Sequence, residues 1–287
     1  MKHWKMGLGA LLLSATAWSA PLQVVSSFSI LGDVAKQIGG DKVAVSSLVG
    51  PNQDAHAYQM NSGDIKTIRS AKLVLLNGLG FEPAELQRAA EQSGVRIGVA
   101  SKGIPPLAAE EEHGNSDPHV WNDPVLMQYY AANVAIALIY ADPANREVYR
   151  SGFEHYSQAL LDLDAYARQQ FGAIQAEKRK VLTGHDAFNY MAKRYGIEFI
   201  APQGMSSEAE PSARQVADII RQIKQQDIKA VFTENIKDAR MVARVAQETG
   251  RSVGGSLYSD ALSAGAPADT YLNLYRYNVT ALSAAMK

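Results

Sequence analysis

Short apolar, β-branched runs recur along the chain, each closed by a turn-forming residue and followed by a stretch whose apolar positions return every three or four residues. LQVVSSF (22–28), KVAVSSLVG (42–50), KLVLLNGLG (72–80) and VRIGVAS (95–101) form a first group. KVLTGHD (180–186), EFIAPQG (198–204), KAVFTEN (229–235) and SVGGSLYS (252–259) form a second. Runs of this length alternating with helical patterns predict βα units, because neighbouring parallel strands need a crossover and a helix supplies it. The expected fold class is α/β: two (β/α) lobes with parallel-type sheets, over residues 20–141 and 173–287.

Between the groups the period changes. DPANREVYRSGFEHYSQALLDLDAYARQQF (142–171) places Tyr149, Phe153, Tyr156, Leu160, Leu163, Ala167 and Phe171 at spacings of three and four, the stripe of a helix with one wet face. Asp142 is a candidate N-cap, Pro143 a first helical residue, and Gly172 the stop. The pattern predicts one long linker helix over 142–172, about 45 Å in length. Gly152 is its weak point, costing about 1 kcal/mol against Ala. A rigid helix between lobes allows less hinge motion than flexible strands would.

Composition adds limits. The chain has 287 residues, 47% hydrophobic and 20% charged, with a formal net charge of −1. That is a globular composition with room for two domains, and no Lys/Arg stripe stands out, so no nucleic-acid partner is expected. Residues 1–19 begin with Lys2 and Lys5, continue into an apolar core around Leu11–Leu13 and end in small residues, the pattern of a secretory signal peptide. The core is too short for a bilayer span, which needs about 20 residues. The absence of cysteine means that neither disulfides nor a lipid anchor is expected, nor thiolate in any metal chemistry; a periplasmic location suits this.

Histidines carry the candidate chemistry. His3 falls in the signal segment, His155 on the linker helix beside its apolar stripe, and His113 in the polar loop EEEHGNSD, where it reads as solvated. His56, His119 and His185 differ in kind, because each lies in a connection from a strand to a helix. In open parallel sheets those connections line the crevice at the carboxyl ends of the strands, where ligands bind. Asp260 in LYSDAL (257–262) occupies the same kind of place in the second lobe. The four can meet only between the lobes, two from each, as a tetrahedral site of three imidazoles and a carboxylate suited to zinc, with Zn–N near about 2.0–2.1 Å. Glu234 in VFTEN is the main rival for the fourth place; it, Asp117, Asp123 or Asp186 could instead orient a ligating imidazole from behind. Trp121 is expected to wall the site from water.

The phrases SFSILGDVAKQIGGDKVAVSSLVGPNQDAHAYQ, NGLGFEPAEL, DPHVWNDP, TGHDAFNYMAKRYGIE, AVFTEN and LYSDAL resemble those of the zinc/manganese solute-binding proteins of metal ABC importers, the ZnuA and TroA type. The likeness runs from about Ser26 to the C-terminus. It implies two lobes joined by a rigid helix with one transition metal between them, and carries the metal ligands onto His56, His119, His185 and Asp260. It implies a periplasmic protein that captures Zn(II), with Mn(II) the alternative, and delivers it to the transmembrane subunit of an ABC permease. A periplasmic zinc chaperone is a further partner to consider, and a monomer is expected. In that family the third ligand is histidine in zinc binders and often glutamate in manganese binders, which favours zinc here. Many zinc members also carry a long His- and Asp-rich insert before DPH, reduced here to AAEEEHGNSD.

Four protein ligands fill a tetrahedral ion's shell and leave no position for substrate, so the expected protein is not an enzyme. A zinc hydrolase with Glu234 as base is the rival class, but no HExxH pattern occurs. A binder of metal chelates would leave the three histidines without a role, and a surface adhesin has no anchor in the sequence. Affinity is expected to fall as pH drops through about 6.5, where imidazole protonates. Capture is expected to order the loops carrying His119 and Asp260, changing the surface shown to a permease.

Overall fold

The computed structural model describes residues 20–107, 116–205, 211–236 and 238–287. The signal segment and His113 lie outside them. Each of the eight apolar runs contains strand. The first lobe holds β1 (Leu22–Phe28), α1 (Ser29–Gly39), β2 (Val43–Val49), α2 (Ser62–Ser70), β3 (Leu73–Leu76), α3 (Ala84–Gln92), β4 (Arg96–Val99) and α4 (Leu126–Ala141). Its strands form one parallel sheet in the order β2-β1-β3-β4, with Val24 opposite both Val45 and Leu73. β3 is buried at every position, which is why LVLL reads as continuously apolar rather than alternating; β1 is buried at all but Gln23, with Ser26 and Ser27 among its buried residues.

After α5 (Arg146–Gly172) the second lobe comprises β5 (Lys180–Leu182), α6 (Asn189–Tyr195), β6 (Glu198–Ile200), α7 (Ala213–Gln225), β7 (Ala230–Val231), β8 (Thr233–Glu234), α8 (Arg240–Thr249), β9 (Ser256–Leu257) and α9 (Tyr271–Ala285). KAVFTEN, expected as one strand, is two. β7 pairs with β5 in the order β6-β5-β7, and β8 pairs with β9, all parallel. Phe232 separates them: its N–H donates to Leu182 O at 2.9 Å, while Val231 O accepts from Gly254 N at 2.7 Å and Thr233 N donates to Gly255 O at 3.0 Å. Hydrogen bonding thus passes across one chain segment from β5 on one side to the β9 strand on the other.

In both lobes the chain leaves its first strand for a neighbour on one side and then crosses to the other: β1 to β2 and then β3, β5 to β6 and then β7. Each crossing opens a crevice at the carboxyl ends of the strands.

α5 runs 27 residues, about 40 Å. It begins later than its sequence suggests, because Pro143–Asn145 form a separate 3-10 turn. Asp142 does not cap the helix; its Oδ2 accepts from Tyr149 Oη and Asn145 Nδ2, both at 2.7 Å, and those bonds occupy the carboxylate. Gly172 is the last helical residue rather than the one after it. The expected stripe is buried except for Phe153, which is half-buried against the core. Gly152, read as a weak point, is a crossing point. A Cβ there would lie 2.1 Å from Ile38 O, so only glycine lets the end of α1 approach this close.

The sign of one substitution tests this. On helix propensity alone Gly152→Ala would stabilise by up to about 1 kcal/mol; the α1–α5 contact instead predicts a loss of about 1–3 kcal/mol from overpacking. Calorimetric or denaturant unfolding of the variant should show the loss.

Candidate metal centre

β2 ends at Val49 and the chain turns through Pro51–Gln53 before reaching His56, whose N–H is fixed by Asp54 Oδ1 at 3.0 Å. His119 follows the connection after β4. His185 follows β5, and Asp260 follows β9. The carboxyl ends of strands in both lobes therefore deliver all four residues to one place, and one donor atom from each lies within 4.8 Å of the others. His56 Nε2 is 3.3 Å from His119 Nε2 and 3.2 Å from Asp260 Oδ2. Asp260 Oδ2 is 3.1 Å from His185 Nε2, and Asp260 Oδ1 is 3.7 Å from His119 Nε2. Donors at zinc distances on a tetrahedron stand about 3.3 Å apart. The side chains of His119, His185 and Asp260 are fully buried, and that of His56 is 8% exposed. Among the described residues, His185 Nε2 and both Asp260 oxygens meet no hydrogen-bond geometry with the protein; their close neighbours are one another and the other inward ring nitrogens, an arrangement that buried polar atoms make at a cost and that a shared cation would relieve.

Two further carboxylates hold the rings from behind. Asp117 Oδ1 lies 2.8 Å from His119 Nδ1 and accepts the His119 N–H at 2.9 Å. Glu234 Oε2 lies 2.6 Å from His185 Nδ1, and its Oε1 accepts the N–H groups of Gly184 and His185 at 2.7 and 2.9 Å. With Nδ1 facing a carboxylate, each ring turns its Nε2 inward. Glu234, the rival fourth ligand, is thus spent on the His185 turn, and a Cβ on Gly184 would meet its Oε1 at 2.9 Å. Asp123 acts elsewhere: its Oδ1 accepts from Val125 N at 2.8 Å at the start of α4 and pairs with Arg194 at 3.3 Å. Asp186 is engaged by Asn189, and burial pushes its carboxyl up. His155 is exposed on α5, its Nδ1 2.7 Å from Ser151 O, away from the cluster.

Charge in this cluster is shared. Burial opposes protonation of His185, but the carboxylates of Glu234 and Asp260 outweigh it and hold the imidazolium well above its usual range. The same burial opposes ionisation of Asp260, yet His185 and His119 keep it well below the usual carboxylate range. Burial dominates at His56 and pushes it down despite Asp260.

Trp121 is fully buried, its ring 5.3 Å from His119, and with Phe28 and Phe81 it forms an aromatic wall; Phe81 meets His56 edge-on at 5.1 Å. Phe81 carried no role in the sequence, since its only signal was its place in a turn-rich NGLGFE segment. Trp121 also fastens the lobes. Its Nε1 donates to Ser259 O at 2.7 Å, beside Asp260, and its carbonyl accepts from Tyr271 Oη at 2.6 Å. Asn122 Nδ2 donates to Ala187 O at 2.9 Å, beside the His185 turn.

A protein-family model described as "Zinc-uptake complex component A periplasmic" matches residues 24–285. The manganese-binding lipoprotein MntA of Bacillus subtilis is 33% identical, over 93% of this chain and 90% of that protein. The iron-binding protein YfeA of Yersinia pestis is also 33% identical, over 91% and 85%. The solved structure of the periplasmic zinc-binding protein TroA from Treponema pallidum superposes with a TM-score of 0.88 at 31% identity, covering 93% of this chain and 99% of that one.

The Glu234 contact predicts a titration. In metal-free protein, nitrogen-detected NMR should find His185 charged well above pH 6.5, since the raised group keeps its proton until pH passes its shifted midpoint. Glu234→Gln should bring that midpoint down; an unchanged midpoint would refute the carboxylate's role.

Proposed function

Because the chain belongs to the periplasmic zinc-uptake component A family, the metal-binding solute-binding proteins of ABC importers, we propose that it captures Zn(II) and hands it to an ABC permease. The family is one of binding proteins that work with a membrane permease and its ATPase, not of enzymes. We assign His56, His119, His185 and Asp260 as the ligands. The observation that carries this is the convergence of three imidazole Nε2 atoms on one buried carboxylate at separations close to a zinc tetrahedron's edge. Three nitrogen donors suit a borderline-soft ion better than the harder Mn(II).

Residues 1–19 act in this reading as a signal peptide that exports the protein to the periplasm, residues 20–141 and 173–287 as the lobes, and 142–172 as the linker. The exported protein works as a monomer, with a periplasmic zinc chaperone as a further partner.

Manganese is the second reading, and one observation favours it. Asp260 presents both oxygens to the cluster, Oδ2 toward His56 and His185 and Oδ1 toward His119. A bidentate carboxylate would raise the coordination number to five, which a larger ion accepts.

Capture proceeds by exchange of a proton for the cation. In the metal-free protein Asp260 neutralises the imidazolium of His185. Ligation requires that ring to be neutral, so its proton leaves as the ion enters. Asp117 and Glu234 keep the far nitrogens of His119 and His185 engaged throughout, so the rings need not turn. Acid opposes binding because protons compete for the same lone pairs.

Titration of metal-free protein with zinc in competition with manganese tests the choice of metal: one ion bound, with zinc preferred by at least about 100-fold. Equal or tighter manganese binding would select the second reading. Calorimetry in buffers of different ionisation enthalpy should detect proton release at pH 7, with affinity still rising with pH above 6.5 because His185 is raised. His56, pushed down, adds competition only in more acid solution.

A further inference from the structure

Tyr190 belongs to α6, the second-lobe helix that follows the His185 turn, and its side chain is buried. Burial pushes its phenol up to about 12, so the hydroxyl keeps its proton and donates. It donates to Asp117 O at 2.8 Å and accepts the Leu107 N–H at 3.1 Å. Asp117 N in turn donates to Leu107 O at 2.9 Å. One hydroxyl thus ties together the two strands of chain that lead into His119, and it reaches them from the opposite lobe. Asp117 is the residue whose carboxylate takes both the His119 N–H and its Nδ1.

We propose that Tyr190 is a positioning residue for metal capture: by holding the main chain of Asp117 from the second lobe, its hydroxyl sets the direction in which the Asp117 carboxylate aims the His119 ring. This rests on the reading of His119 as a ligand. The chain of contacts is His119 ring, Asp117 carboxylate, Asp117 carbonyl, Tyr190 hydroxyl, so His119 keeps its direction only while the lobes are together. Trp121 makes the complementary tie, from the far side of His119 to Ser259 next to Asp260. His119 is thereby tied on both sides to the lobe that carries Asp260, through bonds that no ligand itself makes.

Removing the hydroxyl with Tyr190→Phe keeps the ring's volume. Groups bonded directly to ligating histidines typically contribute 10–100-fold to metal affinity; Tyr190 acts one contact further out, through Asp117, so a loss at the lower end, about 10-fold, is expected for zinc. Tyr149→Phe is the structural comparison: it deletes another buried hydroxyl bond, to Asp142, away from the site, and should lower thermal stability with zinc affinity unchanged. If Tyr190 works through Asp117, its effect and that of Asp117→Asn should be non-additive, with the double variant no weaker than the weaker single one. A second measurement needs no folded Asp117 variant: the His119 Nδ1–H resonance of metal-free protein should move in Tyr190→Phe and stay in Tyr149→Phe. Wild-type zinc affinity in Tyr190→Phe, beside a His119→Ala variant that has lost zinc, overturns this proposal alone, as does full additivity with Asp117→Asn. Full-affinity zinc binding by His119→Ala overturns the site reading beneath it.

Discussion

Asp260 is a carboxylate that solvent does not reach, and the arrangement of the site follows from what keeps it charged. A lone buried anion would take up a proton rather than remain ionised. Here His185 and His119 hold it ionised, and Glu234 helps hold His185 protonated in turn. The result is an alternation of acid and imidazole: Glu234, His185, Asp260, His119, Asp117. Each base stands between two carboxylates, so each ring's inward nitrogen is fixed by an outward partner. On the proposed reading of the site, a cation entering the middle would meet a carboxylate already ionised and a ring whose proton it can displace.

The surroundings keep water from this cluster. Phe28, Phe81 and Trp121 pack on one another with centroids about 5 Å apart and cover the His56 and His119 rings. The polar ends of the wall are not wasted: the Trp121 indole bonds to the segment carrying Asp260. A low local dielectric strengthens every contact inside and makes a missing one costly.

The lobes are joined in two ways that reinforce each other. α5 lies along the molecule against α1, α4 and α9, with Gly152 allowing backbone contact at the α1 crossing. Near the cleft, Asp164 on α5 binds Arg168, Arg194 and Tyr195, and Arg194 reaches on to Asp123, four residues after His119. These partners hold the Asp164 carboxyl down, at about 2, although burial alone would raise it. The long helix is therefore wired to the segments around His119 and His185 by charge as well as by packing, which suits small adjustments at the cleft better than wide hinge motion.

Patterns with a local cause were legible in the sequence. Apolar runs of strand length, a helical stripe on α5 and histidines in strand-to-helix connections follow from the length of buried runs, from the period of 3.6 and from where parallel sheets end. Those rules place His56, His119, His185 and Asp260 at equivalent strand ends without knowledge of the packing. What they could not supply was any fact that depends on which atoms meet across the chain. Whether Asp117, Asp123, Asp186 or Glu234 stands behind a histidine is a matter of a few ångströms; four acids of the same type give no local sign of it. Gly152 looked costly because helix propensity describes an isolated helix, and only the approach of Ile38 reverses that judgement. KAVFTEN reads as one strand because Ala230, Val231 and Phe232 run unbroken into β-favouring Thr233, while its division at Phe232 is imposed by different neighbours on either side. Periodicity along the chain determined the elements and the ends at which chemistry gathers; tertiary contact decided which groups share a proton, because hydrogen bonds and burial are properties of meeting surfaces.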